Sequence, residues 1–279
     1  MREVFGKTKK VFSKRKEQTM NLTGKIVAIT GGGGGIGRVA SNVFAKNGAT
    51  VVILELSEQG GRETEAEVKA AGGNALFIKT DVSNEESVNA AFAKIKETFG
   101  TLDALYNNAS VFWGGRDTNL EDLSYDIWKK VHAINLDSVF LCSKAAIALM
   151  KEKGGAIINT ASSAGVVGVP GCAAYTSTKG GTVTLTRAIA VECGKYNIRA
   201  NCIAPAAIQT PMVKESNLDD PDFDNDFFIR QITPLKRWGK PEEVANLACF
   251  LASDEGAYLN GAIIPCDGGI TMNGNVNKM

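Results

Sequence analysis

Tyr175 and Lys179 are the two side chains whose types and spacing are best suited to chemistry. They stand four residues apart in a stretch with helical patterning, so both lie on one helix face. A free tyrosine has a pKa near 10 and is a poor base at neutral pH. A lysine charge about 5 Å away, at an effective dielectric constant near 20, favours the phenolate by roughly 3 kcal/mol, or about two pKa units. The pair is therefore a candidate general acid and base, although this spacing also arises by chance in many helices.

A run of five glycines, 31–35, follows the β-branched segment Ile26–Thr30 and precedes a helical stretch. Gly32, Gly34 and Gly37 fit the pattern G-x-G-x-x-G, but consecutive glycines satisfy almost any glycine pattern. The position of the glycine run is stronger evidence than its pattern, because glycines at a strand-to-helix junction let a pyrophosphate approach the free N–H groups of the helix. A flexible loop is the alternative. The second strand–helix unit that follows favours dinucleotide binding.

Glu55 ends the second strand-like segment and is the candidate selector of the cofactor. An acid at this place accepts hydrogen bonds from the ribose hydroxyls of NAD, whereas NADP would place a phosphate beside it. Two like charges 4 Å apart cost roughly 4 kcal/mol at an effective dielectric near 20, before screening. Glu55 therefore predicts NAD, with NADP less favoured. Arg38 could still reach a phosphate, and a solvated glutamate at a strand end is the alternative.

Short β-branched runs alternate with amphipathic stretches from Leu22 onward. The strand-like runs are 26–30, 51–54, 75–78, 102–106, 156–160, 199–203 and 262–265, and the helical stretches are 36–47, 59–71, 85–98, 123–151, 174–195 and 241–252. This alternation predicts a parallel sheet covered by helices on both faces, and nearly continuous apolar strands are typical of strands buried on both sides. We expect an α/β fold of the Rossmann-like, doubly wound type, with about seven parallel strands in a single domain from residue 20 to residue 279.

The composition excludes several classes of protein. The chain has 279 residues, 44% hydrophobic and 22% charged, with a net charge of +1, so neither disorder nor nucleic-acid binding is indicated. A single histidine, His132, is too few for a multi-histidine metal site, and no metal is expected. The six cysteines form no C-x-x-C pair and suit a reducing compartment, so we expect a cytoplasmic protein. We find no apolar run near 18 residues and expect no membrane partner.

Residues 1–19 differ from the rest of the chain in charge. They hold seven basic residues against two acidic ones and lack the apolar core of a secretory signal. Three interpretations stay open: a solvated tail or upstream start codon before Met20, a mitochondrial presequence, and an arm for an anionic surface. We expect a disordered basic extension and assign it no function.

From about residue 20 onward, an ordered series of motifs resembles the short-chain dehydrogenase/reductase family. The loop from Thr30 to Gly37 looks like the family's cofactor loop, and Ser162 lies 13 residues before Tyr175, where the family keeps a catalytic serine. Further matches, in chain order, are Asp81-Val82, Asn107-Asn108-Ala109, Asn135, Pro205, Ile208-x-Thr210-Pro211 and Asp267-Gly268-Gly269. The resemblance implies the family's fold and an oxidoreductase that uses a nicotinamide dinucleotide.

The resemblance also implies a role for each catalytic residue. Tyr175 would exchange the proton with the substrate oxygen, and Lys179 would lower the pKa of Tyr175 and bind the nicotinamide ribose. Ser162 would hydrogen-bond the substrate, with Ser163 as a rival that only the 13-residue spacing disfavours. Asn135 would hold a water that carries the proton away through Lys179. The positive charge of an oxidised nicotinamide would add to that of the lysine.

The same resemblance implies which residues contact the cofactor. They are Gly31, Gly33, Gly34, Gly35, Ile36, Glu55, Asp81, Val82, Asn108, Ala109, Tyr175, Lys179, Pro205, Ile208 and Thr210. Ser110 and Ala206 stand where the family usually has glycine, so we expect a reshaped pocket rather than lost binding. His132, one helical turn before Asn135, is expected to pack rather than to relay protons.

The segment from Met212 to Arg237 corresponds to the family's mobile substrate lid and is rich in acids. With the small apolar residues of 164–174 and a wall at 110–116, it predicts a neutral, partly apolar secondary alcohol or ketone, cyclic or sugar-like. One alternative is an acyl-carrier-protein 3-oxoacyl-thioester reductase that uses NADPH. Another is a non-catalytic dinucleotide-sensing or scaffold protein, which the intact catalytic residues disfavour. Family members commonly form tetramers or dimers, so a homotetramer or homodimer is expected.

Overall fold

The computed structural model describes residues 20–212 and 225–272. Their strands are β1 (Ile26–Thr30), β2 (Thr50–Glu55), β3 (Asn74–Lys79), β4 (Ala104–Asn107), β5 (Gly155–Thr160), β6 (Ile198–Pro205) and β7 (Ile263–Cys266). They form one parallel sheet in the order β3-β2-β1-β4-β5-β6-β7. The predicted Rossmann-like sheet is confirmed. The basic extension 1–19 and much of the predicted lid lie outside the described residues.

Helices connect these strands and cover the sheet. They are α1 (Gly35–Lys46), α2 (Glu58–Ala70), α3 (Glu85–Phe99), α4 (Tyr125–His132), α5 (Ser138–Met150), α6 (Ala173–Cys193), α7 (Asn225–Ile232) and α8 (Pro241–Ala252). The stretch 123–151 was expected to be one helix, but a π-helical turn, Ala133–Asp137, separates α4 from α5. Such turns inside helices frequently occur at functional sites.

Both faces of the sheet are buried, which explains the continuous apolar strands. On one face, Phe44 of α1 and Leu251 of α8 pack with Ile29 of β1. On the other face, Ile95 of α3 and Met150 of α5 pack in a second cluster of buried residues. Each strand therefore supplies side chains to two cores, as a doubly wound sheet requires.

The strand order reverses between β1 and β4, and this reversal places the functional crevice. Thr30, the last residue of β1, accepts hydrogen bonds through Oγ1 from the backbone N–H groups of Asn108 and Ala109, both at 3.0 Å. This contact ties the carboxyl ends of β1 and β4 together. In open parallel sheets, ligands bind in the crevice outside the carboxyl ends at such a reversal.

The glycine loop between β1 and α1 has a steric explanation at two positions. A Cβ at Gly37 would lie 2.0 Å from the carbonyl oxygen of Gly31, so α1 could not start against β1 with any larger residue there. A Cβ at Gly33 would lie 2.6 Å from Cγ of Glu55. The loop is therefore held close to the end of β2 as well as to its own helix.

The stretch Tyr125–Met150, from α4 through α5, is long and apolar enough by composition to cross a membrane, with a hydropathy of 1.5. The expectation that the sequence lacks such a stretch is therefore wrong. In the fold this stretch covers the sheet, because Val131, Cys142 and Met150 are buried and α5 packs beside α3 and β4. A core helix satisfies the same criteria of length and composition.

Candidate active site

A cleft of about 720 Å³ opens at the carboxyl ends of the strands. It brings together most of the predicted site residues: Gly31, Gly34, Gly35, Ile36, Glu55, Asp81, Val82, Asn108, Ala109, Ser162, Tyr175, Lys179, Pro205, Ile208 and Thr210. Two predicted residues, Gly33 and Asn135, do not line it. Both contact residues that do line it: Gly33 is hydrogen-bonded to Glu55, and Asn135 is hydrogen-bonded to Val111.

Lys179 carries its ammonium group inside the protein. The side chain is only 2% exposed, and Nζ donates a hydrogen bond to the carbonyl oxygen of Thr160 at 3.0 Å. Burial lowers the pKa of Lys179 to about 8, because the charged form loses its hydration. An ammonium group has three N–H donors, and within the described residues the carbonyl of Thr160 uses one of them, while Lys179 also lines the cleft.

Tyr175 stands above Lys179 on α6, with 5.4 Å between Nζ and the centre of the phenol ring. Burial raises the pKa of Tyr175 to about 12, and a hydrogen bond with Ser162 opposes that rise. Loss of hydration is the larger of these two effects in the protein without a bound dinucleotide. The predicted lowering of this pKa depends on Lys179 together with an oxidised nicotinamide, and a further positive charge in the cleft would favour the phenolate.

The hydrogen bond to Tyr175 distinguishes the two candidate serines. Ser162 follows β5, bonds Tyr175, and accepts the backbone N–H of Ala164 through Oγ at 3.2 Å. Ser163 begins a short 3₁₀ turn, Ser163–Gly165, that leads away from the strand. Both serines line the cleft, and Ser162 is the one that is hydrogen-bonded with Tyr175.

Asn135 lies in the π-helical turn and supports the cleft from behind. Its Oδ1 accepts the N–H of Val111 at 2.8 Å, and its Nδ2 donates to the carbonyl oxygen of Val111 at 2.9 Å. His132 packs at 4.0 Å between ring centres on Trp128, and its Nε2 lies 3.2 Å from Oγ of Ser177. His132 thus joins α4 to α6, in agreement with the expected packing role.

The first turn of α1 fits the pyrophosphate of a dinucleotide. Gly34 is the N-cap residue and has no side chain that could bind the N–H groups of the first turn. The space where its Cβ would lie is open. No acidic residue stands in the first turn of α1. The free N–H groups and the positive end of the helix dipole therefore face the cleft without competition from an anionic side chain.

Glu55 and Arg38 occupy different surroundings at the ribose end of the cleft. Glu55 accepts the N–H of Gly33 through Oε2 at 3.0 Å and the N–H of Ser57 through Oε1 at 2.9 Å. Each oxygen retains a lone pair for a further donor. Arg38, expected to be able to reach a phosphate, is instead paired with Glu63 and Glu67 of α2. Hydrogen bonds and charge from these acids raise the pKa of Arg38 above its ordinary value.

The two departures from the family's glycines are accommodated. Ser110 and Ala206 both line the cleft, which stays open beside them. The hydroxyl of Ser110 is buried and has no hydrogen-bond partner within the described structure. Position 110 therefore adds a buried, unpartnered hydroxyl to the wall of the cleft.

Asp117 is the residue that sequence reasoning missed. It is 1% exposed, and its carboxylate accepts the backbone N–H groups of Ala174 and Tyr175 at 3.0 and 2.7 Å. No local pattern marks this position, because its partners lie 57 and 58 residues further along the chain.

The buried charge of Lys179 predicts a pH-dependent gain in stability when it is removed. Its pKa of about 8 in the folded protein lies below the ordinary lysine value of 10.5, so the unfolded chain binds the proton more tightly between these two values. The penalty is complete below pH 8 and declines as the pH rises. We expect Lys179→Met, without cofactor, to be roughly 1–3 kcal/mol more stable than the parent at pH 7, with a smaller gain at pH 10.

Urea unfolding at the two pH values measures this difference. Lys195→Met is the matched control, since Lys195 is exposed and its removal should change stability little at either pH. An equal or lower stability of Lys179→Met at pH 7 would contradict the account of the buried ammonium group.

Known proteins share this fold and these motifs. A family model described as Enoyl-(Acyl carrier protein) reductase matches residues 31–271. The chain is 38% identical over 253 residues to the 2,5-dichloro-2,5-cyclohexadiene-1,4-diol dehydrogenase of Sphingobium indicum, covering 90% of this chain and 98% of that protein. The crystal structure of levodione reductase aligns with a TM-score of 0.85 at 38% identity, over 90% of this chain and 99% of that chain. Carveol dehydrogenase from Mycobacterium avium in complex with NAD gives a TM-score of 0.86 at 28% identity, over 91% and 100%.

These matches extend over about nine-tenths of the chain and include relatives named as dehydrogenases and reductases. They confirm the expectation of an enzyme that acts on a CH–OH group, and they disfavour a purely dinucleotide-sensing role. The match to the family model covers the glycine loop from Gly31 and the helix that carries Tyr175 and Lys179. The chain belongs to the short-chain dehydrogenase/reductase family of oxidoreductases.

Proposed function

We propose that this enzyme interconverts a neutral cyclic secondary alcohol and its ketone, with NAD rather than NADP as the hydride carrier. The surroundings of Tyr175 are the observation that carries the proposal: Ser162 and Lys179 lie beside it, and its other neighbours in the cleft are mainly apolar. The apolar lining includes Val111, Phe112, Val169, Cys172, Met212, Ile232 and Trp238.

Each polar group has its own task in this reaction. Ser162 orients the substrate oxygen toward Tyr175, whose hydroxyl exchanges the proton with it. Lys179 would hold the ribose next to the nicotinamide with the N–H donors that Thr160 does not use. The bound nicotinamide supplies the hydride chemistry and, when oxidised, a positive charge. Since both side-chain polar atoms of Asn135 bind Val111, a water relay toward Lys179 would use the backbone oxygen of Asn135.

The preference for NAD is supported by Glu55 together with Arg38. Glu55 places a carboxylate at the end of β2, where a 2′-phosphate would meet a like charge. Arg38 is the nearby cation that could have offset this repulsion, but Glu63 and Glu67 already hold it. The carveol dehydrogenase neighbour, whose structure contains NAD, agrees with this choice of cofactor.

The neutral substrate is supported by the distribution of charge in the cleft. Among the described lining residues, the charged side chains are Glu55, Asp81 and Lys179. The two acids follow β2 and β3 at the dinucleotide end, and the lysine is buried below Tyr175. Lys179 is the charged lining residue beside Tyr175, and its remaining donors would be used by the nicotinamide ribose. A carboxylate beside Tyr175 would therefore compete with the dinucleotide for this group or stay unpaired, and burying an unpaired charge is costly. The relatives named for cyclic diols and ketones fit this apolar environment.

A thioester reductase is the alternative function, because the matching family model is described as Enoyl-(Acyl carrier protein) reductase. An acyl carrier protein presents its substrate on a phosphate-bearing arm and is itself anionic. Lys179 is the cation among the described lining residues, and its ammonium group is buried. The described lining therefore provides no exposed cation for an anionic carrier protein or its phosphate. The cyclic alcohol therefore has the stronger support.

Assembly and compartment complete the proposal. We infer a homotetramer or homodimer built on α5 and α6, supported by exposed apolar side chains on both helices, Phe140 at 50% and Val191 at 84%. All six cysteines are free, which supports a reducing, cytoplasmic compartment.

Substrate class is tested by comparing three alcohols with NAD in the purified enzyme. The three are 1,4-cyclohexanediol, 4-hydroxycyclohexanecarboxylate and a 3-hydroxyacyl thioester. We expect kcat/KM for the neutral diol to exceed that for the carboxylate by about tenfold or more. The reason is that the carboxylate would lose its hydration against apolar side chains of the cleft. Activity confined to the thioester, or a preference for the carboxylate, would contradict the proposal.

Removal of the charge at Glu55 should relax the choice of cofactor. Glu55→Gln keeps the length of the side chain but removes its repulsion of a phosphate, so the ratio of NAD to NADP affinity should fall by about tenfold or more. Calorimetric titration with each dinucleotide measures the ratio. Glu58→Gln removes an exposed acid that pairs with Arg62 and should leave the ratio unchanged. An unaltered ratio in Glu55→Gln would show that another residue selects the cofactor.

Removal of the Tyr175 hydroxyl should separate catalysis from binding. Tyr175→Phe loses the proton donor and acceptor, so kcat should fall by about 10²- to 10⁴-fold, while the Kd for NAD stays within a few-fold of the parent. Steady-state rates and calorimetry measure the two quantities. Tyr196→Phe is the same change in the turn after α6, outside the lining of the cleft, and should keep full activity. Near-normal turnover in Tyr175→Phe would exclude this mechanism.

A further inference from the structure

The helix that carries Tyr175 begins without a cap of its own. Its N-cap residue, Cys172, contacts the hydroxyl of Thr176 through Sγ but accepts no backbone N–H of the helix with its side chain. A serine, threonine, aspartate or asparagine at that place would normally accept the N–H of the second or third helical residue. In α6 those residues are Ala174 and Tyr175. The N–H groups of the catalytic turn therefore depend on a partner from elsewhere in the chain.

Asp117 is that partner, and it lies in the loop between β4 and α4. One carboxylate oxygen accepts the N–H of Ala174 at 3.0 Å and the other accepts the N–H of Tyr175 at 2.7 Å. The residues after it continue the contact: Thr118 accepts the N–H of Ala173 through its carbonyl oxygen at 3.2 Å, and Asn119 accepts the N–H of Gly171 at 3.1 Å. We call Asp117–Asn119 the clamp.

The chain leading into the clamp also reaches the reacting groups. Asn135 fixes Val111 through two hydrogen bonds, and the next residue, Phe112, packs edge-on against the Tyr175 ring with 5.1 Å between ring centres. Asp117 itself is held by a hydrogen bond from its N–H to the carbonyl oxygen of Trp113 at 2.8 Å. Tyr175 is thus held by its backbone through Asp117 and by its ring through Phe112.

We propose that Asp117 is a positioning residue for proton exchange at Tyr175, acting by fixing the backbone of the first turn of α6. This assignment rests on the proposed role of Tyr175. An ionised carboxylate has only acceptors, so Asp117 satisfies the two adjacent N–H groups with one oxygen each and presents no competing donor to them. Its negative charge also stabilises the positive end of the α6 dipole. Small shifts of a catalytic group away from its reacting partner are expensive in rate, which gives the backbone contact its effect on turnover.

The chemistry of asparagine provides a selective test. Asp117→Asn keeps the shape and one acceptor, but it turns an N–H₂ donor toward a backbone N–H and so loses one of the two bonds. Asp117→Ala loses both. Asp126→Asn is the matched control, because it makes the same change in the first turn of the neighbouring α4, where Asp126 is exposed and pairs with Lys129.

Two measurements on the full chain decide the proposal. Amide hydrogen exchange of peptides covering 171–177, which needs no substrate, should rise in Asp117→Asn and rise further in Asp117→Ala. With NAD and 1,4-cyclohexanediol, kcat should fall by about 10- to 100-fold in Asp117→Asn, while the KM for the alcohol and the Kd for NAD change by less than about threefold. Asp126→Asn should match the parent in both measurements.

The results that would contradict the role of Asp117 differ from those that would contradict the proposed function. Unchanged kcat in folded Asp117→Asn, despite faster exchange, would reduce Asp117 to a purely structural cap and overturn the proposal. Unchanged exchange would overturn it as well. If Asp117→Ala does not fold, Asp117→Asn decides alone, with thermal unfolding used to confirm that the assayed enzyme is native. Absence of turnover in the parent with every alcohol would instead contradict the proposed function, and the exchange result would still stand.

Discussion

A single buried ammonium group, that of Lys179, is the constraint around which the site is arranged. Its described hydrogen bond is to the carbonyl oxygen of Thr160, and no carboxylate within the described residues forms an ion pair with it. A cation in such surroundings is destabilising to the fold, so it must be held by strong packing elsewhere. The two cores of the doubly wound sheet provide that packing. Thr160, the last residue of β5, supplies the carbonyl oxygen that accepts a hydrogen bond from the ammonium group.

Desolvation also shifts the pKa of Tyr175, whose side chain is half-buried at the cleft. Loss of hydration raises this pKa to about 12, and the hydrogen bond with Ser162 does not reverse the rise. A second positive charge in the cleft would favour the phenolate and lower the pKa of Tyr175. In the proposed reaction an oxidised nicotinamide would supply that charge, so proton removal from the substrate would depend on the bound cofactor.

Local patterns predicted the fold, because the relevant physics is local in sequence. The alternation of apolar periodicities and the β-branched runs indicated all seven strands, and the glycines of the first βα turn indicated a dinucleotide site. Most other cleft residues were expected from the resemblance to the family, which rests on motifs spread along the chain. Features that depend on distant contacts were not predictable from local patterns. Asp117 meets Tyr175 across 58 residues, and Asn135 meets Val111 across 24. The desolvation that raises the pKa of Tyr175 in the free protein was not predictable either, since it depends on several separate segments.

The most direct test is the titration of Tyr175 itself, followed as the phenolate absorbance difference between the parent protein and Tyr175→Phe. Without cofactor, the account predicts a pKa clearly above the ordinary value near 10. Saturating NAD+ should lower it by about one to two units, because a second positive charge then favours the phenolate, whereas NADH should leave it high. A pKa that is already near neutral in the free protein, or one that NAD+ does not move, would contradict the claim that the cofactor's charge creates the base.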